Sequence, residues 1–318
     1  MLRLRIAIAV ARLVSRITRM LGRGGTALPG LVALRLDPGL IGKAVARLRD
    51  GVVVVTGTNG KTTTARMIAA MLTGAGRTVV ANRTGSNLAR GVAAAFVDSW
   101  RHGGPGGDIA VFEVDEAAVR HLAAALRPRV LVVTNLARDQ LDRYGELATT
   151  AGHVGVAVAA AEVAVLGADD PIVAGLASGR NGTVAWFGAV AGLRDALPDD
   201  QALYGDDTET RVPVDALLRR AAADGDGTSV AVTVDGIAVE AMLQVPGVYN
   251  AYNAAAALLT VTRLGLDPVV AARHLAAMPP AFGRGQIVEY RGRRIKMLLV
   301  KNPASLNQAI RLLTADDI

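Results

Sequence analysis

Val52-Val53-Val54-Val55-Thr56-Gly57-Thr58-Asn59-Gly60-Lys61-Thr62-Thr63-Thr64 is the stretch on which the fold turns. Four valines and a threonine are all β-branched, which suits a short strand buried on both faces. A glycine-containing turn follows and opens a helical stretch, Thr62–Ala75. The backbone N–H groups of such a turn, together with the helix N-terminus, cradle phosphate oxygens. In this arrangement Lys61 neutralises charge on β- and γ-phosphates, and the Thr62 hydroxyl ligates Mg²⁺. Gly57, Thr58, Asn59, Gly60, Lys61, Thr62 and Thr63 are therefore the candidate nucleotide contacts. The common consensus would carry a glycine at Val55, and this loop is the shorter Gly57-x-x-Gly60-Lys61-Thr62 form.

Outward from the loop, apolar strands alternate with helices. Thr78–Ala81, Ile109–Glu113, Val130–Thr134 and Val163–Leu166 read as strands, and Asn87–Trp100 as a helix. That alternation predicts an α/β fold with a mainly parallel sheet covered on both faces. A carboxylate at the C-terminal end of a parallel strand faces the ligand crevice. Glu113 ends such a strand and is the candidate acidic partner of Thr62 in holding Mg²⁺. Asp115 and Glu116 equally suit the start of the next helix, where acids complement the dipole. Residues 134–145 follow another strand, and by chemistry alone they are simply a charged loop at the same crevice.

Residues 188–228 interrupt the alternation. They are rich in Asp, Gly and Arg, include Pro198 and Pro213, and read as a partly mobile insertion, with Val214–Ala223 helical. Asp235-Gly236 between two apolar runs is a type I′ hairpin signal. Tyr249–Leu264 and Val269–Met278 read as helices. Pro279-Pro280 marks a boundary, after which Ile295–Val300 reads as a strand and Ser305–Leu313 as a helix. The expected organisation is an N-terminal basic helix and linker (1–50), a central nucleotide-binding domain (51–279), and the start of a further α/β lobe (280–318). In residues 2–23, Leu2, Ile6, Val10, Leu13, Val14, Ile17, Met20 and Leu21 recur at helical spacing, with arginines between them. This basic amphipathic helix either packs on its own domain or lies on an anionic membrane surface. Its uncharged stretch Ile6–Ala11 is too short for a secretory signal.

The 318 residues are 51% hydrophobic and 20% charged, which supplies a core and excludes global disorder. The longest uncharged run, Ala241–Thr262, contains Pro246, Gly247, Asn250 and Asn253, which argue against a membrane span. Cysteine is absent, so disulfides, thiolate metal sites and a cysteine nucleophile are excluded. The net charge is +7, and Lys43, Lys61, Lys296 and Lys301 are the only lysines among 35 basic residues. Dispersed arginines with only 3% aromatics argue against nucleic-acid binding.

Taken together, these stretches resemble the Mur ligase superfamily, whose ATP loop Thr56–Thr64 matches. Within it, Glu113-Val114-Asp115-Glu116-Ala117 and Arg138-Asp139-Gln140-Leu141-Asp142-Arg143-Tyr144-Gly145-Glu146 are similar to the MurT branch, the ligase-like subunits of lipid II isoglutaminyl synthases. Asn82-Arg83-Thr84-Gly85-Ser86-Asn87-Leu88, Ala168-Asp169-Asp170-Pro171 and Pro246-Gly247-Val248-Tyr249-Asn250-Ala251-Tyr252-Asn253-Ala254 extend the likeness. So do Ala281-Phe282-Gly283-Arg284 and Leu299-Val300-Lys301-Asn302-Pro303. The resemblance covers residues 25–318.

The resemblance implies ATP and Mg²⁺ as ligands, with Lys61, Glu113 and Arg284 as the catalytic set. Arg284 resembles a linker arginine that reaches ATP phosphate, and Lys301-Asn302-Pro303 would face the reaction site. Asn250 resembles an adenosine-side contact, with Asn253 as a second; both equally suit capping at a helix start. The implied reaction is ATP-dependent amidation of the D-glutamate α-carboxylate of lipid II to D-isoglutamine, in peptidoglycan biosynthesis. Ammonia would come from a GatD-like glutamine amidotransferase partner. The expected location is the cytoplasm, where the helix of residues 2–23 either packs on its own domain or makes peripheral contact with the inner face of the plasma membrane.

The amino-acid-adding Mur ligases are the nearest alternative. Their metal-binding His falls at Gln140, and their carbamylated lysine has no counterpart, since no lysine lies between Lys61 and Lys296. The stretch before Val52 is also short for a separate UDP-sugar-binding domain. Many chains of the MurT branch carry a four-cysteine zinc ribbon in the region of 188–228; without cysteine no zinc is expected here. Residues 280–318 are fewer than the roughly 100 of a self-sufficient lobe. The branch's Asp-Gly-Arg-Asp-x-Ser-Trp stretch is missing, and Asp316 and Asp317 do not match it. The expectation is a C-terminally truncated lobe, which leaves a catalytically incomplete nucleotide-binding module as a further alternative.

Overall fold

The computed structural model describes residues 2–20, 27–82, 86–137, 147–194, 197, 213–224, 226–279, 284–300 and 302–315. Its centre is a nine-stranded sheet. In chain order the strands are β1 (Val52–Thr56), β2 (Val79–Ala81), β5 (Ile109–Glu113), β6 (Val130–Val133), β7 (Val163–Gly167), β8 (Thr183–Ala189), β9 (Ala216–Asp224), β10 (Gly227–Val234) and β11 (Ile237–Leu243). Two-residue strands β3 (Trp100–Arg101) and β4 (Gly104–Pro105) form a separate small ribbon. The spatial order is β11-β10-β9-β8-β7-β6-β1-β5-β2. From β2 to β9 every pairing is parallel, and β9, β10 and β11 close the sheet as an antiparallel meander.

The valine run is fully buried because its alternate residues enter two different cores. Val52 and Val54 join the layer beneath helices α1 (Leu2–Met20), α2 (Leu28–Leu36), α3 (Leu40–Val45), α5 (Ala89–Ser99), α6 (Glu116–Leu126) and α7 (Leu147–Ala160). Val53 and Val55 join the layer beneath α4 (Lys61–Gly74), α10 (Val248–Arg263) and α11 (Pro268–Ala276). Among the described residues, the remaining helices of the central region are the short α8 (Pro171–Gly175) and α9 (Ala191–Arg194). At the C-terminal end, the hairpin β12 (Arg284–Tyr290) and β13 (Arg293–Leu298) is followed by α12 (Pro303–Ala315). Among the described residues no helix is long and apolar enough to cross a membrane.

The Asp235-Gly236 turn has positive φ at both positions, 47° and 83°, as a type I′ turn requires. Two expectations are corrected. Val214–Ala223 is not a helix: Ala216–Asp224 is strand β9, parallel to β8 and antiparallel to β10. Its Ala, Leu and Arg residues favour helix locally, but hydrogen-bonding partners on both sides override that propensity. Residues 188–228 are correspondingly not simply an insertion, since β8 and β9 carry their described ends into the main sheet. The stretch after α1 holds α2 and α3, and Pro29 occupies the first turn of α2, where no N–H is needed.

Candidate functional site

Strand β1 lies where the sheet order reverses, with β5 on one side and β6 on the other. In open α/β sheets the crevice beyond the strand C-termini at such a point receives the ligand. The chain leaves β1 through Gly57 (φ 122°) and Gly60 (φ 85°) before entering α4. Both glycines are required. A Cβ on Gly57 would meet Thr134 Oγ1 at 2.4 Å and Asn135 O at 2.7 Å, and one on Gly60 would meet Asn253 Oδ1 at 2.4 Å.

The loop is held by the segment after β6. Thr58 N donates to Asn135 O (2.8 Å), Asn59 N donates to Asn135 Oδ1 (3.0 Å), and the Thr134 hydroxyl donates to Asn59 O (2.6 Å). Asp170 in turn accepts from Leu136 N (2.8 Å) while capping α8 through Ile172 N and Val173 N. Its neighbour Asp169, raised in pKa chiefly by burial, accepts from Ala189 N (2.7 Å) and pairs with Arg194 (2.9 Å). The Ala168–Pro171 stretch is thus a brace beneath the loop.

Lys61 is buried, and its ammonium donates to the carbonyls of Gly57 and Thr58 and to Glu116 Oε2 (3.0 Å). Glu116 sits in the first turn of α6, whose N-cap is Asp115. Burial pushes the Glu116 carboxyl above the usual carboxylate range, and the Lys61 charge pulls the other way. This pair is what sequence reasoning missed: Glu116 was legible as a helix-start acid, but nothing in the sequence aims it at Lys61.

Thr62 Oγ1 donates to Glu113 Oε2 at 2.7 Å. Glu113 stands opposite Val55 in the parallel register, and its backbone is clamped by the Asn82 amide, which donates to Glu113 O and accepts from Glu113 N. A hydroxyl and a carboxylate at this separation are hard oxygen donors, a pair that suits Mg²⁺ completed by phosphate oxygens and water. Among the described residues no cluster of three His, Cys, Asp or Glu side chains could hold a metal ion. The Asn59 amide nitrogen is buried without a hydrogen-bond partner, an open donor in the cradle.

The cleft over the loop is lined from the other side by Tyr249, Tyr252 and Asn253 of α10 and by Leu298, Ser305 and Gln308 of the C-terminal segment. Asn253 rather than Asn250 lines it: the Asn250 amide donates to Pro246 O (2.7 Å) at the start of α10, and its carbonyl oxygen is buried without a partner. Asn302 caps α12 by accepting from Ser305 N (2.9 Å) and donates to Asn59 Oδ1 (3.3 Å), bringing the C-terminal segment onto the phosphate loop. Arg284 opens β12; its side chain, and Lys301, Arg83–Gly85, residues 138–146 with Gln140, and Asp316 and Asp317, lie outside the described residues.

Residues 55–261 match the model of the Mur ligase middle domain. The chain is 27% identical to the lipid II isoglutaminyl synthase (glutamine-hydrolyzing) subunit MurT of Staphylococcus aureus, over 96% of this chain and 73% of that protein. It is 29% identical to the MurT subunit of Streptococcus pneumoniae, over 92% of this chain and 70% of that protein. In three dimensions it is similar to the MurF ligase of Thermotoga maritima in complex with ADP, with a TM-score of 0.69 at 19% identity. That likeness covers 89% of this chain and 61% of that structure, and it shows the fold.

Proposed function

Because this chain belongs to the Mur ligase family, we propose that it binds Mg·ATP at Gly57–Thr63 and works as the ligase subunit of a lipid II isoglutaminyl synthase. The observation that carries the reading is the Thr62–Glu113 pair beside the buried Lys61, at the crevice end of β1. The similarity to MurT subunits over almost the whole chain supports the choice of reaction.

In this reading the α-carboxylate of D-glutamate in the lipid II stem peptide attacks the γ-phosphorus of ATP. The bond to the bridging oxygen breaks, ADP leaves and an acyl phosphate forms. Ammonia then attacks the acyl carbon, inorganic phosphate leaves, and a proton is lost to solvent to give the amide. Thr62 and Glu113 would hold Mg²⁺, which would supply charge neutralisation on the phosphates. Lys61 exchanges its backbone carbonyl partners for phosphate oxygens, and Glu116 keeps the ammonium at the loop until then. Asn59 donates its open amide to the nucleotide, and Asn253 bounds the cleft. Arg284 contributes from the linker. The ammonia comes from a GatD-like glutaminase, since this chain has no cysteine to hydrolyse glutamine.

The test is an amidation assay with lipid II, glutamine, Mg·ATP and the glutaminase subunit, read by mass spectrometry. Replacement of one hydroxyl by an amine in the product is expected, and Lys61→Ala should abolish it. A product heavier by a whole amino-acid residue would instead make the chain an amino-acid-adding ligase. ATP binding without any product would make it a nucleotide-binding module.

A further inference from the structure

Helix α1 carries two apolar stripes, and only one of them packs. Leu4, Ala7, Ile8, Ala11 and Ser15 are buried against the domain. Arg12 donates to Val97 O (3.1 Å) and also bonds Trp100 O, meeting carbonyls at the C-terminal end of α5 that have no partner within the helix. On the opposite side of the helix, Leu2, Ile6, Val10, Leu13, Ile17 and Met20 form a continuous exposed stripe, from 38% exposed at Val10 to 86% at Met20. At 1.5 Å per residue it runs about 27 Å. Six large apolar side chains in line on one helix exceed the scattered exposure ordinary for a soluble surface.

Charge decides what covers this stripe. Residues 1–36 hold seven arginines and no aspartate or glutamate. At 100° per residue, Arg5 and Arg16 border the exposed stripe on one side and Arg3 on the other. Among the described residues, Arg5 and Arg16 make no hydrogen bond or ion pair, whereas Arg19 pairs with Asp98 (3.4 Å) and Arg3 donates to Leu36 O (2.6 Å). An apolar band edged by unpaired guanidinium groups, with no acid on its own helix, complements an anionic lipid headgroup layer over acyl chains.

We propose that α1 is an in-plane anchor that seats the protein on anionic membrane surfaces, with Leu2, Ile6, Val10, Leu13, Ile17 and Met20 in the interface and Arg5 and Arg16 on the headgroups. The helix does not span the bilayer; it bears on it through the face turned away from the domain. This inference stands on the helix alone and does not depend on the proposed reaction.

The test is co-sedimentation of the full chain with vesicles of phosphatidylcholine, with and without phosphatidylglycerol. Binding is expected only with the anionic lipid and should weaken with salt. Arg5→Glu/Arg16→Glu should weaken it by more than about twenty-five-fold, at about fivefold for each arginine removed. Ile6→Asp/Leu13→Asp/Ile17→Asp should abolish it while leaving the melting temperature and nucleotide binding unchanged, since all three side chains are exposed. Failure of the wild-type chain to sediment with anionic vesicles at low salt overturns the proposal. So does undiminished binding by the triple variant. If the triple substitution disturbs folding, the charge variant and the lipid dependence still decide. Loss of glutaminase binding in the triple variant, with wild-type vesicle binding absent, would assign the face to a protein partner instead.

Discussion

Gly57→Ala tests whether the phosphate loop is fixed by its backbone geometry. At φ 122° an L-residue is strained by about 1–3 kcal/mol. The new Cβ would also stand 2.4 Å from Thr134 Oγ1 and 2.7 Å from Asn135 O. Neither neighbour moves cheaply, because Thr134 donates to Asn59 O and Asn135 O accepts from Thr58 N. Releasing those two hydrogen bonds costs about 1 kcal/mol each. The expected total is about 4 kcal/mol, in the tail of single-substitution effects. Gly76 is the internal control, with a positive φ of 83° and nothing within 4 Å of its Cβ position. Gly76→Ala should carry only the backbone strain, about 1–2 kcal/mol. Urea denaturation of the two variants isolates the packing component by difference. Nucleotide titration should show that Gly57→Ala loses affinity and Gly76→Ala does not. Equal midpoints for the two variants, with normal nucleotide binding by Gly57→Ala, would refute the reasoning.

Glu113→Gln and Thr62→Val should each lower ATP-dependent turnover by about a hundredfold or more and raise the Mg²⁺ concentration needed for half-maximal rate; an unchanged Mg²⁺ requirement would remove these residues from the metal site. Burial raises the Glu116 carboxyl, so folding favours its neutral form. That contribution to stability is fully present below the unfolded pKa and is lost as pH rises through the raised folded value. Glu116→Gln removes this segment, so the variant's stability relative to wild type should climb with pH across that window; a pH-independent difference in urea midpoints would count against it. Asn302→Ala loses the cap of α12 and the 3.3 Å contact to Asn59, and should destabilise the C-terminal segment by about 1 kcal/mol. Faster amide exchange in α12 with the central sheet unchanged is the expected signature. Asp170→Ala leaves three N–H groups, of Leu136, Ile172 and Val173, without their acceptor, and should cost about 2–3 kcal/mol by thermal unfolding.

The elements legible in the sequence are those whose local chemistry and tertiary setting agree. Val52–Thr56 is β-branched and buried on both faces, and Asp235-Gly236 adopts the turn its residues favour. Glu113 was legible because a carboxylate ending an apolar strand has one place to face. What escaped was decided by distant partners. Strand β9 is built from Ala, Leu and Arg and is a strand only because β8 and β10 flank it. The Lys61–Glu116 pair joins residues 55 positions apart. The amphipathic pattern of residues 2–23 revealed an apolar stripe, but periodicity cannot tell which face of a helix carrying two such stripes is packed. Asn250 and Asn253 lie three apart on one helix, and only the packed position of α10 turns Asn253 toward the loop.

The sheet order also has a consequence during synthesis. Strand β1 is an interior strand, third from the β2 edge, yet its neighbours β5 and β6 begin only at Ile109 and Val130. On a ribosome adding about 5–20 residues per second, Val52–Val55 waits several seconds before either flank exists. An uncharged β-branched run without a proline offers open strand edges to other chains. The strand that leads into the Gly57–Thr63 loop therefore stays unpaired on both edges until β5 emerges and on one edge until β6 does, and a chaperone has this edge to protect over that interval.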